Sequence, residues 1–390
     1  MTLPIQSAAV VADRELVLQQ APVLTALALG RRPEQVAVQV TAVDQRPGAG
    51  VSAVYRVSQP PVPDMLVAST APGPADEADG VLTVSDGARR VRMWWRRHDP
   101  RLPGLRHAMD PESVARWLGI PQAPSLQVVS YRPGRRAVIA AGTGRSRWFI
   151  KVVRPDRADP LRRRHLMLGV PRLLGEPAPG VLVLEPAPGI SLAQALAASG
   201  PEPLPQPEQI LAFLTELPDS AGLPRRLSWA DRSDFYASAA CAELPDLAEE
   251  IMGVQQQLHD RIDALPAQPL VPTHGDLNVA NLFVTEGRAA AVIDLDSFGP
   301  GYLIDDLATL LAHLHVLSVL APQTYPDVLA HAHAWEAAWS QAVDAEALRV
   351  RTAAVVLSLI AGSGVDQARA RFQLVRRLLA NPATQPQEAA

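Results

Sequence analysis

A cluster of polar residues near position 280 has the types and spacing needed to bind a metal ion. Asp276 lies in a polar loop, and Asn281 follows it at the start of a short apolar strand, 282–284. A Glu-Gly turn separates this strand from a second apolar strand, 290–295, which contains Asp294. Because the open ends of a β-hairpin meet, Asn281 is expected to lie beside Asp294. Carboxylate and amide oxygens suit Mg²⁺, which leaves its other positions to water and phosphate. The spacing therefore predicts a magnesium-nucleotide site.

The same stretch resembles a known enzyme family. HGDLNVAN at 274–281, followed by IDLD at 293–296, resembles the HGDxxxxN and IDxD pattern of aminoglycoside phosphotransferases, choline kinases and related small-molecule kinases. The resemblance implies ATP- and Mg²⁺-dependent transfer of a phosphoryl group to a hydroxyl of a small molecule, such as a sugar, amino sugar, aminoglycoside or amino alcohol. It implies that Asp276 is the catalytic base and that Asn281 and Asp294 hold Mg²⁺.

Other residues of this stretch have supporting roles in the same interpretation. His274 is expected to hydrogen-bond within the loop rather than to act as a base. Asp296 either touches a second metal ion or caps a turn. Asp306 resembles the Asp of the family's DLA segment, where it begins a helix and braces the catalytic loop. Gly275 replaces the arginine of protein kinases and favours a small-molecule acceptor. The alternative is a loop in which Asp and Asn side chains only cap turns.

One residue stands out among the basic side chains. Lys151 is the only lysine among 36 Lys and Arg residues, which suggests a position that needs a compact ammonium rather than a planar guanidinium. It lies in the apolar strand 147–153 and matches the lysine that pairs with nucleotide phosphates in the kinase fold. The alternative is that this lysine remained by chance at a position that needs no particular cation.

A turn before this strand is the candidate for covering the phosphates. Two further strands are predicted at 126–131 and 135–141, and the Arg-Pro-Gly connection between them occupies the place of the phosphate-covering loop. It has one glycine rather than the GxGxxG of protein kinases. The residues predicted to contact phosphate are Gly134, Arg135 and Arg136. An ordinary turn with solvated arginines is equally compatible with this segment.

One departure from the family's pattern favours a second interpretation. An active kinase usually pairs the strand lysine with a glutamate of the following helix. We expect that helix at 160–168, and this range contains no acid. Asp156, Asp159 or Glu176 would have to substitute, or the helix begins elsewhere. The alternative function is a nucleotide-binding pseudokinase with a scaffold or regulatory role, although the retained loop and hairpin residues argue against it.

The resemblance implies an α+β, protein-kinase-like two-lobed fold with an extra N-terminal α/β cap. We expect the cap at 1–105, a β-rich nucleotide lobe at 106–188, and a mostly helical lobe with the catalytic loop and acceptor site at 189–390. The cap is predicted to hold one helix, 16–29, over an antiparallel sheet, and to end in a Pro-rich linker, 98–105. Its position is similar to that of the cap in bacterial maltokinase-like enzymes.

Composition narrows the possible partners. Residues 86–172 hold an excess of Lys and Arg, whereas the rest of the chain is acidic and the net charge is −4. This split suits a basic lobe over polyphosphate and an acidic lobe facing a polar or cationic acceptor. A solvated basic face is the alternative. Nucleic acid is not an expected partner, because no recognised binding module is present.

Location is predicted from what the sequence lacks. No long apolar run is found, and the first residues do not combine a basic start with an apolar core. The single cysteine, Cys241, cannot form an intramolecular disulfide. We therefore expect a cytoplasmic protein without a membrane partner.

Overall fold

The computed structural model describes residues 11–46, 50–58, 65–71, 80–85 and 89–380. The chain forms two compact units. The first comprises Met1–Arg163 and Arg172–Pro186, and the second comprises Arg164–Pro171 and Ala187–Ala390.

The first unit begins with two helices and an antiparallel five-stranded sheet of order β1-β2-β3-β5-β4. Val17 and Leu24 of the helices are buried in one cluster with Tyr55 and Met93 of the sheet. The single predicted helix, 16–29, is in fact two helices. Pro22 explains the break, because proline lacks an N–H and is favoured in the first turn of a helix. The elements are α1 (Val11–Gln19), α2 (Ala21–Leu29), β1 (Val38–Arg46), β2 (Gly50–Val57), β3 (Met65–Ser69), β4 (Leu82–Ser85) and β5 (Arg90–Trp95).

The segment predicted to be a linker, 98–105, is part of a hydrophobic core, and that prediction is wrong. Leu102 and Leu105 are fully buried, and Asp99 is only 2% exposed. Prolines suggested a free connection, but proline also fits the tight turns of a buried segment. Two short helices follow, α3 (Leu105–Ala108) and α4 (Pro111–Leu118). The predicted N-cap of α4 is confirmed, since Asp110 accepts a bond from the Ser113 N–H at 2.9 Å.

A second antiparallel sheet completes the first unit, with the strand order β6-β7-β8-β10-β9. The three strands predicted around Lys151 are present, whereas β9 was not predicted because its sequence, LLGEPA, contains both glycine and proline. The helix after β8 begins at Pro155 rather than at 160, so it includes Asp156 and Asp159. The elements are β6 (Ser125–Arg132), β7 (Arg136–Thr143), β8 (Ser146–Val153), α5 (Pro155–Leu168), β9 (Leu173–Ala178) and β10 (Val181–Leu184).

The second unit is mostly helical and carries two small sheets, one of order β11-β13-β14 and one that pairs β12 with β15. Its main core is formed by side chains of α8, α9, α10, α12 and α13. The elements are β11 (Ile190–Ser191), α6 (Leu192–Leu196), α7 (Pro207–Thr215), α8 (Ser233–Glu243), α9 (Ala248–Asp263), β12 (Val271–Thr273), β13 (Leu282–Thr285), β14 (Arg288–Val292), β15 (Gly299–Gly301), α10 (Leu303–Leu320), α11 (Val328–Trp339), α12 (Ala345–Ser358) and α13 (Val365–Leu379).

Within the described ranges, α10 is the one helix whose length and composition would suffice to cross a membrane. Its mean hydropathy is 1.6, and 61% of it is buried inside the protein. It packs mainly against α12 and also against α11. The apolar composition of α10 is therefore explained by its place in the core.

Candidate active site

The hairpin β13–β14 positions the predicted metal ligands. Ile293 donates its N–H to the Asn281 carbonyl at 2.9 Å, so Asn281 and Asp294 flank the open end of the hairpin. The second strand ends at Val292 rather than at 295. Asp294 has φ 61° and ψ 56°, a left-handed conformation that interrupts a strand and that aspartate tolerates better than most residues. Such backbone conformations concentrate at functional sites.

His274 links the predicted catalytic loop, residues 274–281, to this hairpin. It is fully buried, and its Nε2 lies 2.8 Å from the Ile293 carbonyl oxygen. Because a carbonyl only accepts, Nε2 carries the proton. The other ring nitrogen, Nδ1, then accepts the Asp276 N–H at 3.3 Å. A neutral imidazole therefore holds the backbone of Asp276 against the residue that precedes Asp294.

Asp306 holds the start of the same loop. It lies in the first turn of α10, is 1% exposed, and accepts the N–H groups of His274 at 2.6 Å and Gly275 at 2.8 Å. Burial raises the pKa of Asp306 to about 7, although the two N–H donors favour the charged form. Gly275 has φ 76°, and a Cβ there would lie 2.8 Å from the Ser297 carbonyl oxygen, so this position requires glycine.

The oxygens around the hairpin suit a magnesium ion. The Asn281 amide donates through Nδ2 to the Asp276 carbonyl at 3.0 Å, which commits the nitrogen and leaves Oδ1 as the candidate ligand atom. Asp276, Asp294 and Asp296 are partly exposed, and Asp296 lies in the 3₁₀ turn Leu295–Ser297. Among the described residues, no group of three His, Cys, Asp or Glu side chains could hold a metal. This donor set fits Mg²⁺, which takes most ligands from water and phosphate.

Lys151 lies on the face of the second sheet that is turned away from the core. Its neighbours on β8, Ile150 and Val152, point into the hydrophobic core, so Lys151 points to the opposite face. Strands β7 and β10 flank it on both sides, and Lys151 is directly opposite Val138 and Leu182. The side chain is 5% exposed. An ammonium at this depth needs polar or charged partners.

The predicted phosphate turn is held by a residue that sequence reasoning missed. Asp99 accepts the Gly134 N–H at 2.7 Å and the Tyr131 hydroxyl at 2.7 Å. Burial raises the pKa of Asp99, and these hydrogen bonds oppose that effect. Tyr131 also accepts the Trp94 Nε1–H at 3.3 Å, so the turn is connected to the first sheet. Asp99 falls in the segment interpreted as a linker, and its spacing to Gly134 gave no local signal.

Two residues of this turn, Arg135 and Arg136, were predicted to contact phosphate. Both are partly buried and lie directly after Gly134, which has φ 64°. The N–H of Arg135 donates to the Arg132 carbonyl at 3.0 Å and closes the turn. These residues and Lys151 belong to the first unit, whereas the loop and hairpin residues belong to the second.

The acids that could substitute for the missing helix glutamate are engaged elsewhere. Asp156 pairs with Arg154 at 3.0 Å, and Asp159 pairs with Arg162 at 2.6 Å. Both carboxylates are more than half exposed. Glu176 accepts the Gly180 N–H at 3.4 Å. In the part of the chain that the structure describes, neither acid of α5 pairs with Lys151.

A buried ion pair beside the catalytic loop was also missed. Asp305 binds Arg351 of α12 at 2.6 Å, and both side chains are largely buried. Burial raises the pKa of Asp305 to about 6, against the opposing charge of Arg351. The available signals were the adjacency of Asp305 to Asp306 and the position of Arg351 just before the apolar stretch of α12.

Comparison with known proteins identifies the family of this chain. The model of the phosphotransferase enzyme family, APH, matches residues 135–343, which is more than half of the chain. No curated protein matches significantly. Among solved structures, a choline/ethanolamine kinase family protein from Mesorhizobium loti is 19% identical, with 70% of this chain and 95% of that chain covered and a TM-score of 0.43.

Two other solved structures have similar values. A choline kinase from Cryptosporidium parvum is 13% identical, and the match covers 72% of this chain and 92% of that chain with a TM-score of 0.47. The aminoglycoside phosphotransferase APH(3'')-Id from Streptomyces rimosus is 20% identical, and the match covers 63% of this chain and 97% of that chain with a TM-score of 0.41.

The family match includes the strand with Lys151, the catalytic loop and the hairpin. The predicted α+β, protein-kinase-like fold is confirmed. The chain belongs to the phosphotransferase enzyme family and is a small-molecule kinase.

Proposed function

We propose that this protein transfers the γ-phosphoryl group of ATP, in the presence of Mg²⁺, to a hydroxyl group of a small molecule. The observation that carries the proposal is the hydrogen-bonded arrangement around the hairpin end. His274 and Asp306 fix the loop that presents Asp276, and the Ile293–Asn281 bond places Asn281 next to Asp294. A base and two oxygen ligands are thus held by buried groups.

In this proposal Asp276 orients the acceptor hydroxyl and takes its proton as the oxygen attacks the γ-phosphorus. The bond from the γ-phosphorus to the β,γ-bridging oxygen breaks, and ADP leaves with that oxygen. Its backbone is held on both sides, by the His274 ring and by the Asn281 amide. Asn281 and Asp294 would hold Mg²⁺, and the bound metal would neutralise charge on the transferring group. Such catalysis consists of positioning and electrostatic stabilisation, for which a rigid loop is required.

Nucleotide binding is assigned to the first unit. Lys151 would position the α and β phosphates, since its side chain is buried on the face of the second sheet that is turned away from the hydrophobic core. Gly134, Arg135 and Arg136 would contact the phosphates from the β6–β7 turn. Among the partners, we propose a small-molecule acceptor and neither nucleic acid nor membrane, in a cytoplasmic protein.

A second candidate function rests on the acids of α5. Because Asp156 and Asp159 pair with neighbouring arginines, the usual lysine–glutamate pair of an active kinase is not formed with either of them. This observation favours a nucleotide-binding pseudokinase with a scaffold or regulatory role. Both functions predict nucleotide binding, but only the phosphotransferase predicts ATP turnover with an acceptor.

A thermal melt with and without MgATP tests the proposal. A ligand at 100 times its Kd stabilises the native state by about 2.7 kcal/mol. We expect the wild type to gain a Mg²⁺-dependent shift and Asp294→Asn to lose it. Asp263→Asn, an exposed acid of α9, is the matched control and should retain the shift. Absence of any shift in the wild type contradicts both functions, and a shift without ATP turnover across an acceptor panel supports the pseudokinase.

A further inference from the structure

A pocket opens beside the catalytic loop, within the second unit. Its wall includes Gly275, which immediately precedes Asp276. Its other lining groups include Arg226, Ser228 and Tyr302. A molecule bound there lies beside the loop that carries the proposed base, Asp276.

Arg226 brings a positive charge to this pocket. Its Nη1 donates to the Ser297 hydroxyl, another lining group. Within the described ranges, no carboxylate forms an ion pair with Arg226. A hydroxyl accepts one hydrogen bond but does not neutralise a guanidinium, so the charge and the remaining N–H donors are available to a ligand.

Two acids at or next to the pocket, Asp305 and Asp231, are already paired with arginines. Asp305, which lines it, is bound to Arg351 at 2.6 Å. Asp231 lies 3.7 Å from Arg225, whose guanidinium stacks 4.8 Å from the centre of the Tyr302 ring. An ammonium group entering the pocket would have to compete with arginines for these carboxylates. The pocket wall is therefore poorly suited to a cationic acceptor.

A further arginine strengthens the positive field. Arg232 lies 5.1 Å from the ring centre of Trp229 and 5.2 Å from that of Tyr236. Burial lowers the pKa of Arg232, and the charges of Arg226 and Asp276 both act on it. Arg226 and Arg232 belong to one short segment, of which residues 226–229 line the pocket. Positive charge next to a base attracts anions and steers them towards it.

We propose that the acceptor is a hydroxylated small molecule that carries a carboxylate or phosphate group, which Arg226 binds while a hydroxyl of the same molecule meets Asp276. Arginine presents a planar fork of donors that matches both anions. The inference rests on the proposed function and names its acceptor class. The sequence predicted a polar or cationic acceptor, and the inference disagrees with the cationic alternative, because the acidic balance of a long segment does not determine the charge at one pocket.

Isothermal titration of the whole protein at constant ionic strength tests this inference. The probes are D-gluconate, D-glucose 6-phosphate, neutral D-glucose and cationic D-glucosamine. We expect at least one of the two anions to bind at least tenfold more tightly than glucose and glucosamine. Arg226→Gln should weaken that anion at least tenfold, whereas Arg376→Gln, which removes an equal charge from an exposed ion pair with Glu250, should not. Comparison of the affinities for gluconate and glucose 6-phosphate shows whether a carboxylate or a phosphate is preferred.

Several results would overturn the inference. These are tighter binding of glucosamine than of both anions, absence of anion binding, and anion binding that Arg226→Gln leaves unchanged. Loss of the MgATP-dependent thermal shift in Arg226→Gln would assign Arg226 to the nucleotide instead, and would also overturn it. A wild type that responds to MgATP but not to the anions keeps its proposed function and loses only this acceptor class. Arg226-dependent anion binding without any MgATP response would establish an anion site but overturn the proposed function, and with it the role of the anion as acceptor.

Discussion

The catalytic loop of the second unit and the β6–β7 turn of the first unit are both held by a buried aspartate, but in different ways. Asp306 accepts two N–H groups of the loop and follows the loop and hairpin directly in the chain. Asp99 accepts one N–H of the turn and a tyrosine hydroxyl, and it comes from a segment that precedes β6. The loop is fixed by groups of its own motif, whereas the turn depends on a distant residue.

This difference indicates how each region can fail. The loop has several supports, since His274 and Asn281 bind it in addition to Asp306. The turn has the Asp99 carboxylate and its own Arg132–Arg135 backbone bond. Substitutions in the loop are therefore expected to affect chemistry or global stability, whereas substitution of Asp99 is expected to affect the turn first.

The largest expected effect is that of Asp276→Asn. The amide keeps the shape of the side chain but cannot accept the hydroxyl proton, and a general base contributes roughly a factor of 10² to 10⁴ in rate. We expect kcat to fall by about a thousandfold, as measured by steady-state kinetics with an acceptor found by screening. The MgATP-dependent thermal shift should remain, because Asp276 is not assigned to the metal. A variant that keeps most of its kcat would remove Asp276 from the role of base.

Asp306→Asn should produce the next largest effect, and it acts on stability. One oxygen of the pair that accepts the His274 and Gly275 N–H groups becomes an amide donor, so a buried N–H is left without an acceptor. Such a loss costs about 1 to 3 kcal/mol. We expect urea unfolding to show destabilisation near the upper end of that range, with kcat also reduced. Asp263→Asn in α9 is the exposed control, and an equal effect in both variants would contradict a bracing role for Asp306.

The difference between the two regions also explains what sequence reasoning could reach. HGDLNVAN and IDLD lie close together in sequence, and hairpin geometry brings Asn281 beside Asp294 from spacing alone. The bracing role of Asp306 was expected from the resemblance to the family's DLA segment rather than from spacing. Lys151 was identified because it is the only lysine and lies on an apolar strand.

Other contacts could not be read in this way. Asp99 and Gly134 are brought together by packing of a Pro-rich segment, and no periodicity links them. Asp305 and Arg351 meet because α10 packs on α12, which depends on tertiary structure. The boundary of β14 was placed too late because the left-handed conformation of Asp294 has no signal in an apolar run. Contacts between distant elements and special backbone angles are thus the parts that required the structure.

Asp99→Ala tests the turn, with a smaller expected effect. The Gly134 N–H and the Tyr131 hydroxyl both lose their acceptor, at a cost of about 2 kcal/mol. If the turn covers the phosphates, the KM for ATP should rise severalfold while the KM for the acceptor and kcat change little. Asp99→Asn keeps an oxygen for Gly134 and should restore most of the ATP affinity. Equal changes in both KM values would indicate general damage rather than a role for the turn.

The smallest expected effect is on the pH dependence of the unfolding free energy. It involves two buried groups of α10, Asp306 and His315. Burial lowers the pKa of His315 to about 4, and the nearby His333 and Arg377 act in the same direction. The folded protein therefore keeps this ring neutral below pH 6.5, where the unfolded chain takes up a proton. Stability due to His315 is present above pH 6.5 and is lost as the pH falls towards 4.

Asp306 acts in the opposite direction. Its raised pKa, about 7, means that the stability it contributes is greatest at low pH and is lost as the pH rises through 7. Because Asp306 is unchanged in His315→Leu, its contribution cancels when the variant is compared with the wild type. From pH 7.5 to pH 5.5 the wild type should lose about 1 kcal/mol more unfolding free energy than His315→Leu, as measured by urea titration at both pH values. An equal loss in the two proteins would mean that His315 is protonated in the folded state as readily as in the unfolded chain.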